Sequence, residues 1–149
     1  FHNILLYGDT GVGKSFLSHC IAKELIDTSY SVVYFTAAQL FDIFAQNTFG
    51  RRGDQDPDAQ EHIYDCDLLI IDDLGTELPN SFTVSQLFIC LNERILRRRP
   101  TIISTNLALD DIQSIYSERT FSRISSNYTI LRLTGDDIRI QKKLLQKTT

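Results

Sequence analysis

The chain has 149 residues, 42% of them hydrophobic and 23% charged, with a formal net charge of −4. That length and apolar content suit one domain over residues 1–149 with a single substantial core. There is no apolar run of the roughly 18 residues that a membrane span needs and no basic-then-apolar leader, so a membrane is not expected as a partner. The acidic balance gives no global attraction to nucleic acid. The cysteines, Cys20, Cys66 and Cys90, stand far apart, which argues against a disulfide framework or zinc site and for a reducing, cytoplasmic setting, each acting as a small apolar filler.

The sequence starts at Phe1, without Met and almost inside the first strand, as expected of a piece of a longer protein. Ile4-Leu5-Leu6-Tyr7 predicts a buried strand and Phe16 to Leu25 a helix. Between them, Gly8-Asp9-Thr10-Gly11-Val12-Gly13-Lys14-Ser15 matches G-x-x-x-x-G-K-[ST], the phosphate-binding P-loop, in the strand-to-helix context the motif requires. A site for a phosphate chain must replace the water that solvates its charge. Glycines let successive backbone N–H groups turn toward phosphate oxygens, and the helix beginning near Lys14 adds the positive end of its dipole. Lys14 is expected to reach the β- and γ-phosphates and the Ser15 hydroxyl to ligate Mg²⁺. The expected nucleotide-binding stretch runs from Gly8 through Asp9, Thr10, Gly11, Val12, Gly13, Lys14 and Ser15 to Phe16.

After the polar break Asp27-Thr28-Ser29-Tyr30, Val32 to Phe35 predicts a second buried strand. Thr36 reads as an N-cap completed by Gln39, and the helix Ala37 to Gln46 places Leu40, Phe41 and Phe44 on one face. Gly50 to Asp58 is polar and Gly/Pro-punctuated, an exposed loop, followed by a short helical piece to about Tyr64. Leu68-Leu69-Ile70-Ile71-Asp72-Asp73 is an aliphatic strand ending in two carboxylates, the Walker B pattern, at the strand end where open parallel sheets bind ligands. Asp72 is expected to hold Mg²⁺ through water and Asp73 to polarise the attacking water, with Glu77 the alternative base.

Phe82 to Leu96 predicts a helix with one apolar stripe, closed by Arg97-Arg98-Arg99 against its C-terminal dipole and stopped by Pro100. The strand Thr101 to Asn106 ends in an amide that can fix water and γ-phosphate geometry. Helical segments follow over Asp110 to Tyr116 and Ser117 to Asn127, the second with Arg119 and Arg123 on one face. Tyr128 to Leu133 predicts a last strand, and Asp137 to Gln146 an amphipathic helix carrying Arg139. The alternation predicts an α/β fold with a parallel sheet covered on both faces.

Among P-loop classes, Asp72-x-x-Gly75 matches the GTPase D-x-x-G, but Asn106-Leu107-Ala108-Leu109 lacks the lysine of the guanine-reading N-K-x-D. A small-molecule kinase would carry an Arg-rich lid and no polar residue at the fourth strand's end. Taken together, Gly8 to Ser15, Asp72-Asp73-Leu74-Gly75, Ser104-Thr105-Asn106 and Glu118 to Arg123 resemble the AAA+ ATPases, in particular the DnaC/DnaI helicase-loader group with the IstB-like branch close by. The resemblance covers essentially the whole chain. It implies a P-loop NTPase fold of the AAA+ ASCE type, with a five-stranded parallel sheet flanked by helices and little or no C-terminal helical lid. It also implies an N-terminal helicase-binding domain outside this chain and a bacterial or phage origin.

The same resemblance implies sensor 1 for Asn106, sensor 2 for Arg139, and for Arg123 an arginine finger offered to a neighbouring subunit's ATP, Arg119 being the competing candidate. A guanidinium is always charged and neutralises charge spread over γ-phosphate oxygens. Asp-Asp replaces the common Asp-Glu, a departure that resembles the DnaI-like and IstB-like branches. The family's initiator-specific insertion matches Ala37 to roughly Phe49 and implies single-stranded DNA contacts at Phe49 and Phe82. Stacking on bases would come from the rings and phosphate neutralisation from Arg51 and Arg52, with core packing the competing explanation for both phenylalanines. The expected activity is weak, assembly-dependent ATP hydrolysis, with ATP/ADP and Mg²⁺ as cofactors, in a loader of the replicative DNA helicase. The alternatives are an IstB-type transposition helper, which grips duplex DNA and a transposase, and a nucleotide-dependent binding module with negligible turnover.

Overall fold

The computed structural model describes residues 2–9, 11 and 13–134. The expected final helix and Arg139 lie outside the described residues, as do Thr10 and Val12. The elements are β1 (Asn3–Gly8), α1 (Lys14–Asp27), β2 (Val32–Thr36), α2 (Ala37–Phe49), α3 (Pro57–Asp65), β3 (Leu68–Leu74), α4 (Ser81–Leu96), β4 (Thr101–Thr105), α5 (Leu109–Tyr116), α6 (Glu118–Asn127) and β5 (Tyr128–Leu133). The strands form one five-stranded sheet in the order β2-β3-β4-β1-β5, every pair parallel.

Parallel neighbours need crossovers, so helices cover the sheet faces. Successive strand residues point to opposite faces, which divides the apolar runs between two cores. On one face α1 sets Ala22, Ile21 and Leu25 against Leu6, Leu68, Ile70 and Ile102. On the other, Leu5, Leu69, Ile71 and Ile103 meet Leu40, Phe44, Leu87, Leu91, Ile112 and Ile124 of α2, α4, α5 and α6. Each fully buried Leu or Ile contributes about 1.5–3 kcal/mol. The connection leaving β1 therefore lies on one face and the helices after β4 on the other. These adjacent strands part at their carboxyl ends into the crevice where open α/β sheets take ligands.

The boundaries shift for physical reasons. Thr36 caps α2 through the expected box, accepting from Gln39 N at 3.2 Å while Gln39 Oε1 accepts from Thr36 N at 3.0 Å. α2 then runs three residues past the expected Gln46, to Phe49. α3 begins inside the expected loop because Asp56 caps it, accepting from Ala59 N at 3.0 Å, with Pro57 in its first turn. Val32 to Thr36 are only half-buried, correcting the expectation of a buried strand: β2 is a sheet edge, and an apolar run does not reveal which strand lacks a second neighbour. Cys66 and Cys90 fill the core as expected, whereas Cys20 is exposed.

At the amino ends of β3 and β4 a residue that pattern reading passes over closes the structure. Arg94 of α4 is 0% exposed. Its Nη1 donates to the carbonyls of Ile63, Tyr64 and Cys66 at 2.9, 3.2 and 3.0 Å, its Nη2 to Pro100 O at 2.7 Å and its Nε to Thr101 Oγ1 at 2.8 Å. The guanidinium thereby caps the C-terminus of α3. Two arginines of the basic triplet that follows pair with acids: Arg97 with Glu61, Asp65 and Glu93, and Arg99 with Asp65 and Asp67.

Candidate functional site

The phosphate-loop motif occupies the turn from β1 into α1. Gly8 has φ 148, and a Cβ there would lie 2.1 Å from Leu133 O, so only glycine permits this approach of β1 to β5. Gly13, at φ 105, is the N-cap of α1, whose first turn carries no side-chain cap and no acid. The positive end of the helix dipole at that terminus favours an anion. Lys14 is buried, and its Nζ donates to Gly8 O at 2.8 Å and Asp9 O at 2.7 Å, holding the loop closed around the amine. Burial lowers the Lys14 pKa, opposed by the carboxylates of Asp73, Asp9 and Asp72. Asp9 and Phe16 are exposed, Phe16 by 61%.

The structure brings the end of β3 onto this loop. Ser15 Oγ lies 3.1 and 3.0 Å from the two carboxylate oxygens of Asp72. Ser104 of β4 donates to Asp72 Oδ1, Tyr34 of β2 donates to Asp72 Oδ2, and Asp73 N donates to Asp72 Oδ1 at 3.1 Å. Burial pushes the Asp72 carboxyl up, but the hydroxyls of Ser104, Tyr34 and Ser15 with the Asp73 amide outweigh it, and the group ends below the ordinary carboxylate range. Asp73 goes the other way, raised by burial and by the charge of Asp72 and only partly lowered by Lys14. Neighbouring carboxyls pushed apart can take different tasks, the lowered Asp72 favouring the ionised form and the raised Asp73 holding a proton more readily.

The backbone accounts for the Asp-Asp form. Asp73 sits at φ 55, where the β3–β4 register shifts between Ile71 and Leu74. Asp is among the few non-glycine residues that tolerate this left-handed region. Glu77, the alternative base, is held elsewhere: Tyr116 donates to its Oε1, and its Oε2 accepts from Gly75 N at 3.0 Å. This contact ties the loop after β3 to the end of α5.

Asn106 is exposed one residue beyond β4. With Gly8 and Asp9 it lines a cleft of about 460 Å³ that continues along Leu107 to Asp110 and Arg132 to Thr134. Arg132, to which sequence reading gives no role, faces this cleft from β5. The two finger candidates separate. The Arg119 guanidinium lies 3.8 Å over the Phe88 ring and is docked on α4, whereas Arg123 is exposed and its guanidinium makes no hydrogen bond or ion pair among the described residues. Phe49 is 72% exposed at the end of α2, its ring centroid 4.9 Å from that of the half-buried Phe82 at the start of α4. Arg51 and Arg52 follow Phe49 in an exposed turn.

The donors suit Mg²⁺. Ser15 and Asp72 offer hard oxygens converging at about 3 Å, and no group of three or more His, Cys, Asp and Glu fit to cage a metal occurs among the described residues. Mg²⁺ is characteristically held by one or two carboxylates plus substrate phosphates and water, without a dedicated cage. Tyr34 is the site residue with the weakest signal in the sequence, one aromatic in an apolar run, and Ser104 stands in a quoted motif but is given no role of its own there.

Comparison with known proteins agrees with this architecture. The replicative helicase loader DnaC of Escherichia coli K12 is 25% identical over 122 residues, covering 82% of this chain and 49% of DnaC. The chain therefore spans about half the length of this curated relative. A crystal structure of the DnaC helicase loader superimposes with a TM-score of 0.76 at 22% identity, over 89% of this chain and 78% of that one. The replication initiator DnaA bound to AMPPCP and single-stranded DNA gives 0.77 at 22% identity, over 97% and 45%. Both share the expected five-stranded parallel P-loop fold. The sequence profile of the family described as IstB-like ATP binding protein matches residues 1–146, and the chain belongs to that family.

Proposed function

We propose that this domain binds and slowly hydrolyses Mg·ATP at the carboxyl ends of β1, β3 and β4, and that its assembly on single-stranded DNA helps deliver a replicative helicase. One observation carries the reading: the P-loop Ser15 and Lys14 converge with an aspartate pair whose carboxyls are pushed in opposite directions. Lys14 would exchange its two loop carbonyls for β- and γ-phosphate oxygens, and the N–H groups at Gly13 and beyond would face the same phosphates. Ser15 and Asp72 would hold Mg²⁺, which would supply positive charge against that of the phosphates. Asp73 accepts a proton from the attacking water, Asn106 orients that water, and Arg123 neutralises transition-state charge from the adjoining subunit. Arg139 completes the proposed set as sensor 2. Phe49 and Phe82 would stack on bases, and Arg51 and Arg52 would neutralise phosphates.

Subunit mixing tests the reading. Arg123→Ala retains an intact site but offers no finger; Asp73→Asn offers a finger but has no base. Each alone is expected to hydrolyse ATP poorly, and a mixture on single-stranded DNA to recover a substantial part of wild-type turnover. Absence of recovery, with both variants folded and nucleotide-binding, removes the trans finger. The family match favours a second reading, a transposition helper. Duplex DNA supporting recovery better than single-stranded DNA would select it.

A further inference from the structure

Asp72 is gripped from both sides of its own strand, and one of the gripping residues has no place in the reading above. β3 lies between β2 and β4, and each neighbour sends one hydroxyl to the Asp72 carboxylate, Ser104 to Oδ1 and Tyr34 to Oδ2. The Tyr34 ring is fixed in turn, stacked on His19 of α1 with centroids 4.6 Å apart and 21° between planes. α1 is the helix that begins at Lys14 and Ser15. Tyr34 thus joins three elements that must keep register for a cation to sit between Ser15 and Asp72: the helix of the phosphate loop, the edge strand and the carboxylate strand.

We propose that Tyr34 is a positioning residue for the metal site, setting the rotamer of Asp72 so that its carboxylate and the Ser15 hydroxyl present a matched pair of oxygens to Mg²⁺. A carboxylate near a cation is free to swing unless its other lone pairs are engaged, and removing partners of this kind typically costs about 10–100-fold in metal affinity. The side chain is also chosen for reach. β2 pairs Thr36 with Asp72 and Tyr34 with Ile70, so a residue two positions short of the carboxylate needs a long, rigid side chain to touch it.

The proposal rests on Asp72 and Ser15 forming the Mg·ATP site, and the test separates the two. Tyr34→Phe keeps the ring and its stack on His19 and deletes only the hydroxyl. Binding of a fluorescent ATP analogue is titrated against Mg²⁺ and, separately, measured in EDTA; Mn²⁺ binding to the nucleotide complex is followed by electron paramagnetic resonance. The expected result is a half-saturating Mg²⁺ concentration raised about tenfold, a matching loss in Mn²⁺ affinity, and unchanged metal-free affinity and thermal midpoint. Ser104→Ala, which removes the opposite hydroxyl, is expected to shift the same two readouts in the same direction. A Tyr34→Phe protein with wild-type metal dependence overturns the proposal, as does an equal loss with and without metal, which marks a structural role only. Wild-type protein whose nucleotide binding ignores Mg²⁺ overturns the underlying site reading instead, and the proposal with it.

Discussion

Arg94 and Asp72 are both charged groups buried at opposite ends of one sheet, and they are satisfied in opposite ways. Arg94 spends its donors on the backbone carbonyls of Ile63, Tyr64, Cys66 and Pro100 and on Thr101, all fixed parts of the fold. Asp72 is satisfied by side-chain hydroxyls from separate elements, and beside it remain groups that the fold does not quiet. Asp73 sits in the left-handed region at φ 55 with its carboxyl raised, and Lys14 is buried with its pKa lowered. A closed network of this kind serves stability, whereas a half-closed one keeps electrostatic tension for a ligand to relieve.

The largest expected effect tests the closed end. Arg94→Met preserves apolar volume but leaves the α3 carbonyls and Pro100 O unpaired in the interior. With unpaired buried acceptors costing about 1–3 kcal/mol each, the loss should reach about 3–5 kcal/mol, or a fall in Tm on the order of 10 °C, measured by thermal and denaturant unfolding. A variant as stable as the wild type would mean that the amino end is not closed by this residue, and the contrast would collapse.

Next comes the open end. Asp73→Asn should lower ATP turnover by at least about a hundredfold while leaving nucleotide affinity and Tm near wild type. The pH dependence has a definite sign. A base works ionised, and the Asp73 carboxyl is raised, so turnover should fall with acidification at a pH above the ordinary aspartate value of about 3.9. The stability linked to a raised carboxyl is present below its unfolded pKa and is lost as pH rises through the folded one. For Asp72, with its lowered carboxyl, linked stability is present above the unfolded pKa and lost as pH falls through the folded one. Activity should therefore fail on the acid side before Asp72 gives way. An acid limb of turnover that coincides with unfolding would refute the separation of roles.

What was legible in the sequence is what neighbours in the chain determine. The P-loop and the Asp72-Asp73 strand end announce themselves because a strand, a turn and a helix start are local, and the Thr36–Gln39 capping box spans only one turn. The rest depends on what the topology brings together across long separations. Tyr34 reaches Asp72 only because β2 lies beside β3, and Arg94 reaches Ile63 only because α3 ends against α4. Arg97 and Arg99 look like part of a basic patch until Glu61, Asp65, Asp67 and Glu93 pair with them. Arg119 and Arg123 are equivalent by spacing and become distinct once Phe88 is under one of them.

A third region sharpens the contrast by being neither closed nor half-closed. Phe49 exposes 72% of its surface at the tip of α2 and touches the ring of Phe82 at 57° between planes. A side chain so exposed contributes little to the core, so Phe49→Ala should leave Tm and nucleotide affinity close to wild type. If the ring pair is a platform for bases, single-stranded DNA affinity should fall by about 1–3 kcal/mol, the smallest effect of the series, because Phe82 remains as half of the platform. Replacing Arg51 and Arg52 by alanine should instead weaken binding across all sequences and flatten its salt dependence, since those side chains would meet phosphate and not base. An equal loss of DNA and nucleotide binding in Phe49→Ala would place the pair with Arg94, as packing. Loss of DNA binding alone would place it with Asp73, as a surface whose unmet contacts are reserved for a ligand.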